Sequence, residues 1–192
     1  MKKALLLTAL TAAVAVAHVQ AQAQSATYAI DPSHTAVTFE ARHFGTSTLR
    51  GRWDKKEGTV TLDKAAKTGK VEFTLDMNSL TTGTVPFDGH LKSNDFFAAE
   101  QFPTAKFVGD KFTFNGDKVA SVSGMLTLRD KTNPVTLTAT NFNCYENQRL
   151  KREVCGGDFE TTIQRSQWGI NYGMPVSPDA VHLLIQVEAI KQ

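Results

Sequence analysis

Residues 87–107 read FDGHLKSNDFFAAEQFPTAKF and hold five of the twelve phenylalanines of the chain. The run has neither the strict alternation of a strand nor the long apolar stripe of a helix. So many aromatic side chains must be buried against something, because soluble monomers expose few large apolar patches. An irregular aromatic insert of this kind is typical of the lid or the lining of a pocket, placed between strands of an all-β domain.

Alternation of apolar and polar residues marks strands on both sides of this insert. Residues 71–77 place Val, Phe, Leu and Met on one face, and residues 181–189 place Val, Leu, Ile, Val and Ala on one face. Turn-forming clusters such as residues 115–117 and 130–134 separate these runs. About eight or nine runs result, a number typical of single-domain barrels and sandwiches. The chain is therefore predicted to be all-β.

Helix signals are weak along the whole chain. The best candidate is one short turn over residues 96–100, with Ser93, Asn94 or Asp95 as its cap. Pro103 would end it, because proline cannot continue a helix. The sequence thus predicts a short helix inside the aromatic insert.

Several strands are partly apolar on both faces, as Leu184 and Ile190 show for the last one. One face can then pack outward while the other surrounds a hollow. An eight-stranded closed barrel has an interior that can hold one small ligand, and closure leaves no exposed strand edge. A hollow barrel is one interpretation of this pattern.

The first 23 residues are predicted to be a secretory signal peptide. Lys2 and Lys3 precede a charge-free run from Ala4 to Ala17, and residues 21–23 match the small-x-small cleavage pattern. The apolar run is shorter than the roughly 20 residues of a membrane span. We expect cleavage after residue 23, with cleavage after residue 21 as the alternative. Residues 24–192 then form one exported domain, located in the periplasm or secreted beyond it.

The charge balance argues against a nucleic-acid partner. The chain has 21 basic and 19 acidic side chains, and removal of Lys2 and Lys3 leaves 19 of each. A formally neutral domain lacks the excess of positive charge that attracts a phosphate backbone.

Cys144 and Cys155 are the only cysteines of the chain. In an oxidising compartment two such cysteines pair most simply with each other. A redox-active pair is the alternative, but the C-x-x-C spacing of such pairs is absent. We therefore predict a structural disulfide.

With these features in view, the chain resembles the YceI-like, polyisoprenoid-binding periplasmic family. Motifs similar to those of the family occur in order along most of residues 24–192. They are Tyr28-Ala-Ile-Asp31 with His34, Val37-Thr-Phe39, His43-Phe-Gly45, Leu49-Arg-Gly-Arg-Trp53, Ser79-Leu-Thr-Thr82, His90-Leu-Lys-Ser-Asn-Asp-Phe-Phe97 with Phe102-Pro103 and Phe107, Gly124-Met-Leu-Thr-Leu128, and Arg165-Ser-Gln-Trp-Gly-Ile170. Two features depart from the family pattern: Asp88-Gly89 stands where a charged pair is common, and the segment 144–155 looks like an addition found only in some members.

The resemblance implies a lipocalin-like antiparallel barrel of about eight strands around a long apolar tunnel. Family members hold an isoprenoid chain, such as that of a quinone, or another long-chain amphiphile, and no catalytic activity comes with the family. No cofactor is expected apart from such a bound lipid. A transient contact with a membrane is compatible with this function, as is either a monomer or a homodimer.

Two groups of residues are predicted to contact the ligand. The apolar wall comprises Phe39, Phe73, Phe87, Phe96, Phe97, Phe102, Phe107 and Trp168. The polar end of an amphiphile is expected near Arg50, Arg52, Asp88 and His90. For each wall residue ordinary core packing is the alternative, because barrels also need filling. For Arg50 and Arg52 the alternative is a solvated pair on the surface, and Arg165 is expected to pair internally.

Metal and catalytic sites are not indicated. The histidines at 34, 43, 90 and 182 are scattered, without the H-E-x-x-H or paired Cys/His spacing of metal sites. Residues 31–34 contain Asp, Ser and His, but neighbours so close in sequence cannot form a nucleophile–base–orienter arrangement, and G-x-S-x-G is absent. A non-enzymatic carrier is therefore predicted. The alternatives are a filled barrel that serves as a protein-interaction or stress-response module, and an enzyme that uses the same cavity.

Overall fold

The computed structural model describes residues 25–192. The predicted signal peptide, residues 1–23, lies outside the described residues. Within them the chain forms eleven strands, one α-helix and two short 3-10 turns. The strands are β1 (Ala26–Ile30), β2 (Ala36–His43), β3 (Ser47–Trp53), β4 (Lys56–Asp63), β5 (Thr68–Asp76), β6 (Leu80–Thr81), β7 (Thr104–Asn115), β8 (Lys118–Leu128), β9 (Lys131–Asn147), β10 (Arg152–Gln164) and β11 (Ala180–Lys191). The helix α1 is Val85–Lys92, and the 3-10 turns are Met77–Ser79 and Arg165–Trp168.

Eight of these strands close into an antiparallel barrel, in the order β1-β4-β5-β7-β8-β9-β10-β11, with β11 paired back to β1. Each apolar strand face can thus turn inward, and no barrel strand is left with a free edge along its whole length. The predicted antiparallel barrel of about eight strands is confirmed.

Strand β11 pairs with two different strands along its length. Residues 189–191 of this strand pair with β1, whereas residues 182–186 pair with β2. A turn at Asp31–Pro32 separates β1 from β2, and Asp31 accepts hydrogen bonds there from the Ser33 backbone and from His34 Nδ1 (2.9 and 2.7 Å). The strands β2, β3 and β6 therefore extend the wall at one end of the barrel only.

Hydroxyl side chains cover part of the outer face. Three cross-strand pairs, Thr113–Ser121, Ser123–Thr136 and Thr127–Thr132, join their hydroxyl oxygens at 2.7 to 2.8 Å. Such pairs stabilise neighbouring strands and stay in contact with water. The threonine-rich strand faces are therefore the outside, and the aliphatic faces are the inside.

The predicted position of the helix was wrong. The helix is Val85–Lys92, whereas residues 93–102 form turns. Thr84 is its N-cap, and Pro86 in the first turn supplies the φ angle that a helix start requires. Gly89 at its centre weakens the sequence signal for a helix. Neither this helix nor the 3-10 turns in residues 25–192 combine the length and apolar character needed to span a bilayer.

The predicted disulfide between Cys144 and Cys155 is confirmed. The two residues lie opposite each other in the β9–β10 pairing, so the bond joins strands that are already neighbours. We expect replacement of both cysteines by serine to lower the free energy of unfolding by at most about 3 kcal/mol, since the closed loop is short. Urea denaturation of the variant and of the oxidised protein measures this difference. A loss of the fold in the variant would contradict it.

Candidate ligand-binding site

The barrel surrounds an apolar hollow, which we call the inner cavity. Its volume is ≈ 150 Å³, and residues from all eight barrel strands line it. Tyr28 is the one lining residue with a polar side-chain atom apart from the disulfide-bonded Cys155, and no charged side chain is among them. Such a space is suited to hydrocarbon and offers nothing to a polar group.

A second hollow, the outer cavity, adjoins the first and has a volume of ≈ 260 Å³. The two cavities share five lining residues and therefore lie next to each other along the barrel. The shared residues are Val37, Leu75, Ala105, Leu126 and Leu183. At the far side the lining residues Phe44 and Tyr172 are 54% and 49% exposed, so the outer cavity reaches the surface there.

Inward-facing glycines help to keep this space hollow. A Cβ atom on Gly51 would lie 2.4 Å from the Phe39 ring, and one on Gly109 would lie 2.9 Å from the Phe107 ring. The rings therefore lie close against the strand backbone where an ordinary residue would carry its side chain. Large aromatic side chains thus coat the wall without filling the axis of the barrel.

We expect Gly51→Ala to push the Phe39 ring into the outer cavity. The cost in unfolding free energy should be about 1–3 kcal/mol, typical of overpacking a buried site. Gly89→Ala is the matched control, because a Cβ there meets no atom within 4 Å and alanine favours a helix. Thermal denaturation of both variants measures the difference, and equal stability of the two would contradict this expectation.

The aromatic insert, residues 87–107, forms one wall of the outer cavity. Phe97 packs edge-on against Trp53, with ring centres 5.7 Å apart, and Trp53 contacts Phe39 at 5.5 Å. The backbone N–H of Phe97 donates to the Leu91 carbonyl at 3.0 Å and holds the turns after α1 against the end of this helix. This is the placement that a pocket lining requires.

The insert meets a second segment at the surface, which we call the rim loop, residues 170–179. The His90 ring lies 5.0 Å from both the Phe96 and the Tyr172 rings, and Phe96 and Tyr172 are 5.3 Å apart. Aromatic contacts of this geometry add to the energy of burial. The three rings thus join the insert to the rim loop beside the opening of the outer cavity.

Arg165 holds the rim loop in place from beneath. Its guanidinium donates to the carbonyl oxygens of Ile170, Tyr172, Ser177 and Pro178, at 3.0, 2.9, 3.3 and 2.9 Å. The side chain is only 6% exposed, and this burial lowers the pKa of the group. The internal role expected for Arg165 is therefore one of contacts to backbone carbonyls, rather than an ion pair.

A polar network lies at the opposite end of the barrel. Tyr28 Oη donates to Glu153 Oε1 at 2.6 Å, and Lys64 Nζ donates to the other oxygen at 2.5 Å. Burial, together with the neighbouring Glu153 carboxylate, raises the pKa of Tyr28. Partial burial opposes ionisation of Glu153, but the bonds from Lys64 and Tyr28 outweigh it and lower its pKa. These contacts cover the inner cavity behind Tyr28.

The structure brings six of the eight predicted wall residues to the hollow. Phe39, Phe87, Phe96 and Phe97 line the outer cavity, and Phe73 and Phe107 line the inner cavity. Their contact with a ligand stays a prediction.

Phe102 and Trp168 line neither cavity. Trp168 lies in the 3-10 turn after β10, fully buried, where its indole donates to the Leu126 carbonyl at 3.1 Å. Phe102 lies beneath Arg129, whose guanidinium is 5.8 Å from the ring centre. Both residues pack against other parts of the chain outside the two cavities, which agrees with the alternative of ordinary core packing.

Two of the four residues proposed for the polar end point away from the hollow. Arg50 pairs with Glu40 at 2.7 Å and Arg52 with Asp54 at 2.8 Å, and both arginines are 62% exposed. Gly51 and Trp53, which alternate with the two arginines along β3, are buried. Because successive side chains of a strand point to opposite faces, both arginines point outward. The solvated surface position is the one observed.

Asp88 and His90 also have partners of their own. Asp88 Oδ1 accepts from the backbone and the hydroxyl of Thr82, both at 2.6 Å, and these bonds lower its pKa despite some desolvation. His90 lines the outer cavity, but its Nε2 lies 3.1 Å from Asp95 Oδ2. Only His90 of the four predicted residues therefore reaches the hollow.

Sequence reasoning missed two basic residues that line the outer cavity, Arg42 and His43. His43 follows Phe39 and Ala41 at alternate positions of β2, and all three line this cavity. Period-two alternation was therefore the signal that could have identified His43.

The described residues show two clusters with the composition of a reactive site, and neither has the required arrangement. Asp31 accepts from both Ser33 Oγ and His34 Nδ1, so the carboxylate, and not the imidazole, stands in the middle. Desolvation opposes ionisation of Asp31, but the hydrogen bonds from His34 and Ser33 together outweigh it and bring the pKa of Asp31 to about 2. The second cluster joins Glu153 to Cys144 and Cys155, whose sulfur atoms already form the disulfide.

Comparisons with known proteins agree with this architecture. The family model of the YceI-like domain matches residues 28–189. A UPF0312 protein of Pseudomonas paraeruginosa is 34% identical over 195 residues, with all of both chains covered. A UPF0312 protein of Pseudomonas putida is 34% identical over 174 residues, which cover 89% of this chain and 90% of that protein.

Solved structures with the same fold are more distant in sequence. The crystal structure of Burkholderia cenocepacia BcnA superposes with a TM-score of 0.69 at 22% identity, covering 83% of this chain and 99% of BcnA. A polyisoprenoid-binding domain from Saccharophagus degradans superposes with a TM-score of 0.63 at 13% identity, covering 86% of this chain and 98% of that domain. At these identities the similarity establishes a shared fold.

Proposed function

The chain belongs to the family of YceI-like domains, and on that premise we propose that it is a binding protein for a long-chain amphiphile. The ligand is an isoprenoid lipid, such as one with a quinone-like end, or a comparable molecule. The protein carries, stores or sequesters it in the periplasm, and it performs no reaction on it. The observation that supports this most is the pair of adjoining, mostly apolar cavities, the inner and the outer one, whose lengths a single lipid tail could span in succession.

The physical need for such a carrier is large. An eight-unit prenyl chain has about forty carbons, and at about 0.8 kcal/mol per CH₂ its exposure to water costs on the order of 30 kcal/mol. A lipid of this kind does not cross an aqueous compartment unaccompanied. A wall of aliphatic and aromatic side chains offers it an environment close to that of the membrane interior.

The exposed apolar residues near the opening support a transient contact with a membrane. Phe44 and Tyr172 line the opening, and Met174 and Val176 of the rim loop are 37% and 67% exposed. Apolar side chains grouped at the entrance of a hydrophobic space are typical of an interaction surface. Contact with the bilayer would let the tail enter the hollow without passing through water.

The filled-barrel alternative has less support, because the described residues enclose cavities of ≈ 150 and ≈ 260 Å³ whose linings are mostly apolar. A protein-interaction module would need no such space.

Organic extraction of the protein purified from the periplasmic fraction tests the proposal. Mass spectrometry of the extract should show one lipid species at close to one molecule per chain. An extract without lipid, together with no binding of added prenyl or fatty compounds in solution, would overturn the carrier function. Turnover of an added lipid that is lost on substitution of His90 would favour the enzyme alternative.

A further inference from the structure

The opening of the outer cavity is lined by basic side chains. Arg42, His43, His90 and Arg165 all contribute to its wall, and no Asp or Glu of residues 25–192 is among its lining residues. The inner cavity carries no charged side chain. An amphiphile with its tail in the inner cavity would therefore place its polar end beside these four groups.

Arg165 carries a buried positive charge that has no direct anionic partner within residues 25–192. Its four acceptors are backbone carbonyls, and the nearby Asp179 directs both carboxylate oxygens to Ser166, at 2.8 and 2.6 Å. Asp179 acts on Arg165 only through its charge at a distance. Buried charges are usually paired, because the interior screens them poorly. The positive potential of this group is thus available to a ligand in the outer cavity.

Arg42 and His43 lie at the surface end of the same space. Arg42 Nη1 donates a hydrogen bond to the Thr46 carbonyl at 3.3 Å. Neither Arg42 nor His43 forms an ion pair with the part of the chain that the structure describes. His43 lies two residues after Ala41 on β2, on the strand face that also carries Phe39 and Ala41, and all three residues line the outer cavity. His90 differs from both, because its Nε2 faces Asp95.

Resting on the proposed carrier function, we propose that this end of the cavity selects amphiphiles with an anionic head, either a carboxylate or a phosphate monoester. Arg42 and His43 donate hydrogen bonds to the head group. Arg165 contributes its positive charge while it keeps its hydrogen bonds to the carbonyl oxygens of the rim loop. Hydrogen bonds between ionised groups are stronger than those between neutral groups, and the buried charge of Arg165 adds attraction for an anion at this end of the cavity. A neutral alcohol or amide on the same tail gains neither effect.

Matched probes test this selectivity. Hexadecanoic acid, hexadecyl phosphate and hexadecan-1-ol share one tail and differ in the head, and titration calorimetry of the delipidated protein at pH 8 gives their affinities. We expect the two anionic probes to bind about tenfold or more tightly than the alcohol, a preference worth one or two charge-assisted bonds. Raising the salt concentration should weaken the anionic probes more than the alcohol.

The double variant Arg42→Gln, His43→Gln should lose most of this preference and keep its affinity for hexadecan-1-ol. Arg50→Gln is the control, because Arg50 is a neighbouring exposed arginine outside both cavities. Equal binding of acid, phosphate and alcohol would overturn the proposed selectivity and leave the carrier function intact. An anion preference unchanged in the double variant would overturn its assignment to these residues. Failure of all three probes to bind would overturn both proposals.

Discussion

The variant Ala105→Trp is expected to lose high-affinity binding of long-chain lipids while the barrel stays folded. Ala105 lies on β7 and lines both cavities, so an indole at this position occupies the passage between them. Excluding four methylene groups from the inner cavity costs about 3 kcal/mol at about 0.8 kcal/mol each. That corresponds to a loss of affinity of about a hundredfold or more.

Measurement of Kd for a series of fatty acids of increasing length checks this result, because short tails that fit the outer cavity should still bind. Lys106→Trp is the matched control. It adds the same side chain one residue along the strand, where the side chain faces solvent and loses only an exposed ion pair with Glu72. Full affinity for long tails in Ala105→Trp would show that the ligand does not pass from the outer into the inner cavity.

Replacement of Arg165 by methionine should release the rim loop. The methionine keeps much of the apolar stem but leaves four carbonyl oxygens without their donor, of which the Ile170 carbonyl is buried with the side chain. Each buried acceptor left unsatisfied costs about 1–3 kcal/mol, so we expect a loss in unfolding free energy of about 3 kcal/mol or more. Amide hydrogen exchange should accelerate across residues 170–179.

Arg129→Met provides the comparison for this loss. Arg129 donates one hydrogen bond, to the Gly169 carbonyl at 3.1 Å, and lies over the Phe102 ring. Its replacement should cost about 1 kcal/mol and leave exchange in the rim loop unchanged. If Arg165→Met destabilises no more than Arg129→Met, the rim loop is held by its own contacts and by the ring cluster around Tyr172.

Taken together, the two variants separate the roles of the barrel and of its entrance. The Ala105 substitution changes the length of tail that fits, and the Arg165 substitution changes the order of the rim loop beside the opening. Both side chains line the outer cavity, so their effects on stability need not add, and a double-mutant cycle measures the coupling between them.

Part of the site was readable from the sequence. Phe39, Phe73 and Phe107 occupy apolar positions of alternating strands, and such positions face the interior whenever a sheet closes on itself. The aromatic insert had to be buried for reasons of composition alone. The positions of Phe102 and Trp168 could not be predicted in this way, because each residue lies next to a turn, where the two-residue period of a strand no longer applies.

The polar end shows where local patterns stop being informative. Arg50 and Arg52 were predicted to lie near the polar end of the ligand, but they share the outer side of β3. Alternation groups residues into two faces without saying which face is inside. The pairing of Gly51 with Phe39, across the β2–β3 hairpin, decides this, because the ring of Phe39 needs the space above a residue without a side chain.

By itself the amino-acid sequence determined the all-β class, the disulfide and the family motifs, since alternation, turn residues and cysteine spacing act over a few neighbouring positions. It predicted eight or nine strands, whereas the described residues form eleven, because β6 and the short strands at one end lack a clear alternating run. Tertiary structure alone decided that the hollow extends through two cavities, that Arg42, His43 and Arg165 meet at one opening, and that Arg50 and Arg52 face water. These features depend on the register between strands far apart in the chain, such as β2 with β11 and β1 with β11. A register is a property of paired strands and of the closed barrel, and no single segment encodes it.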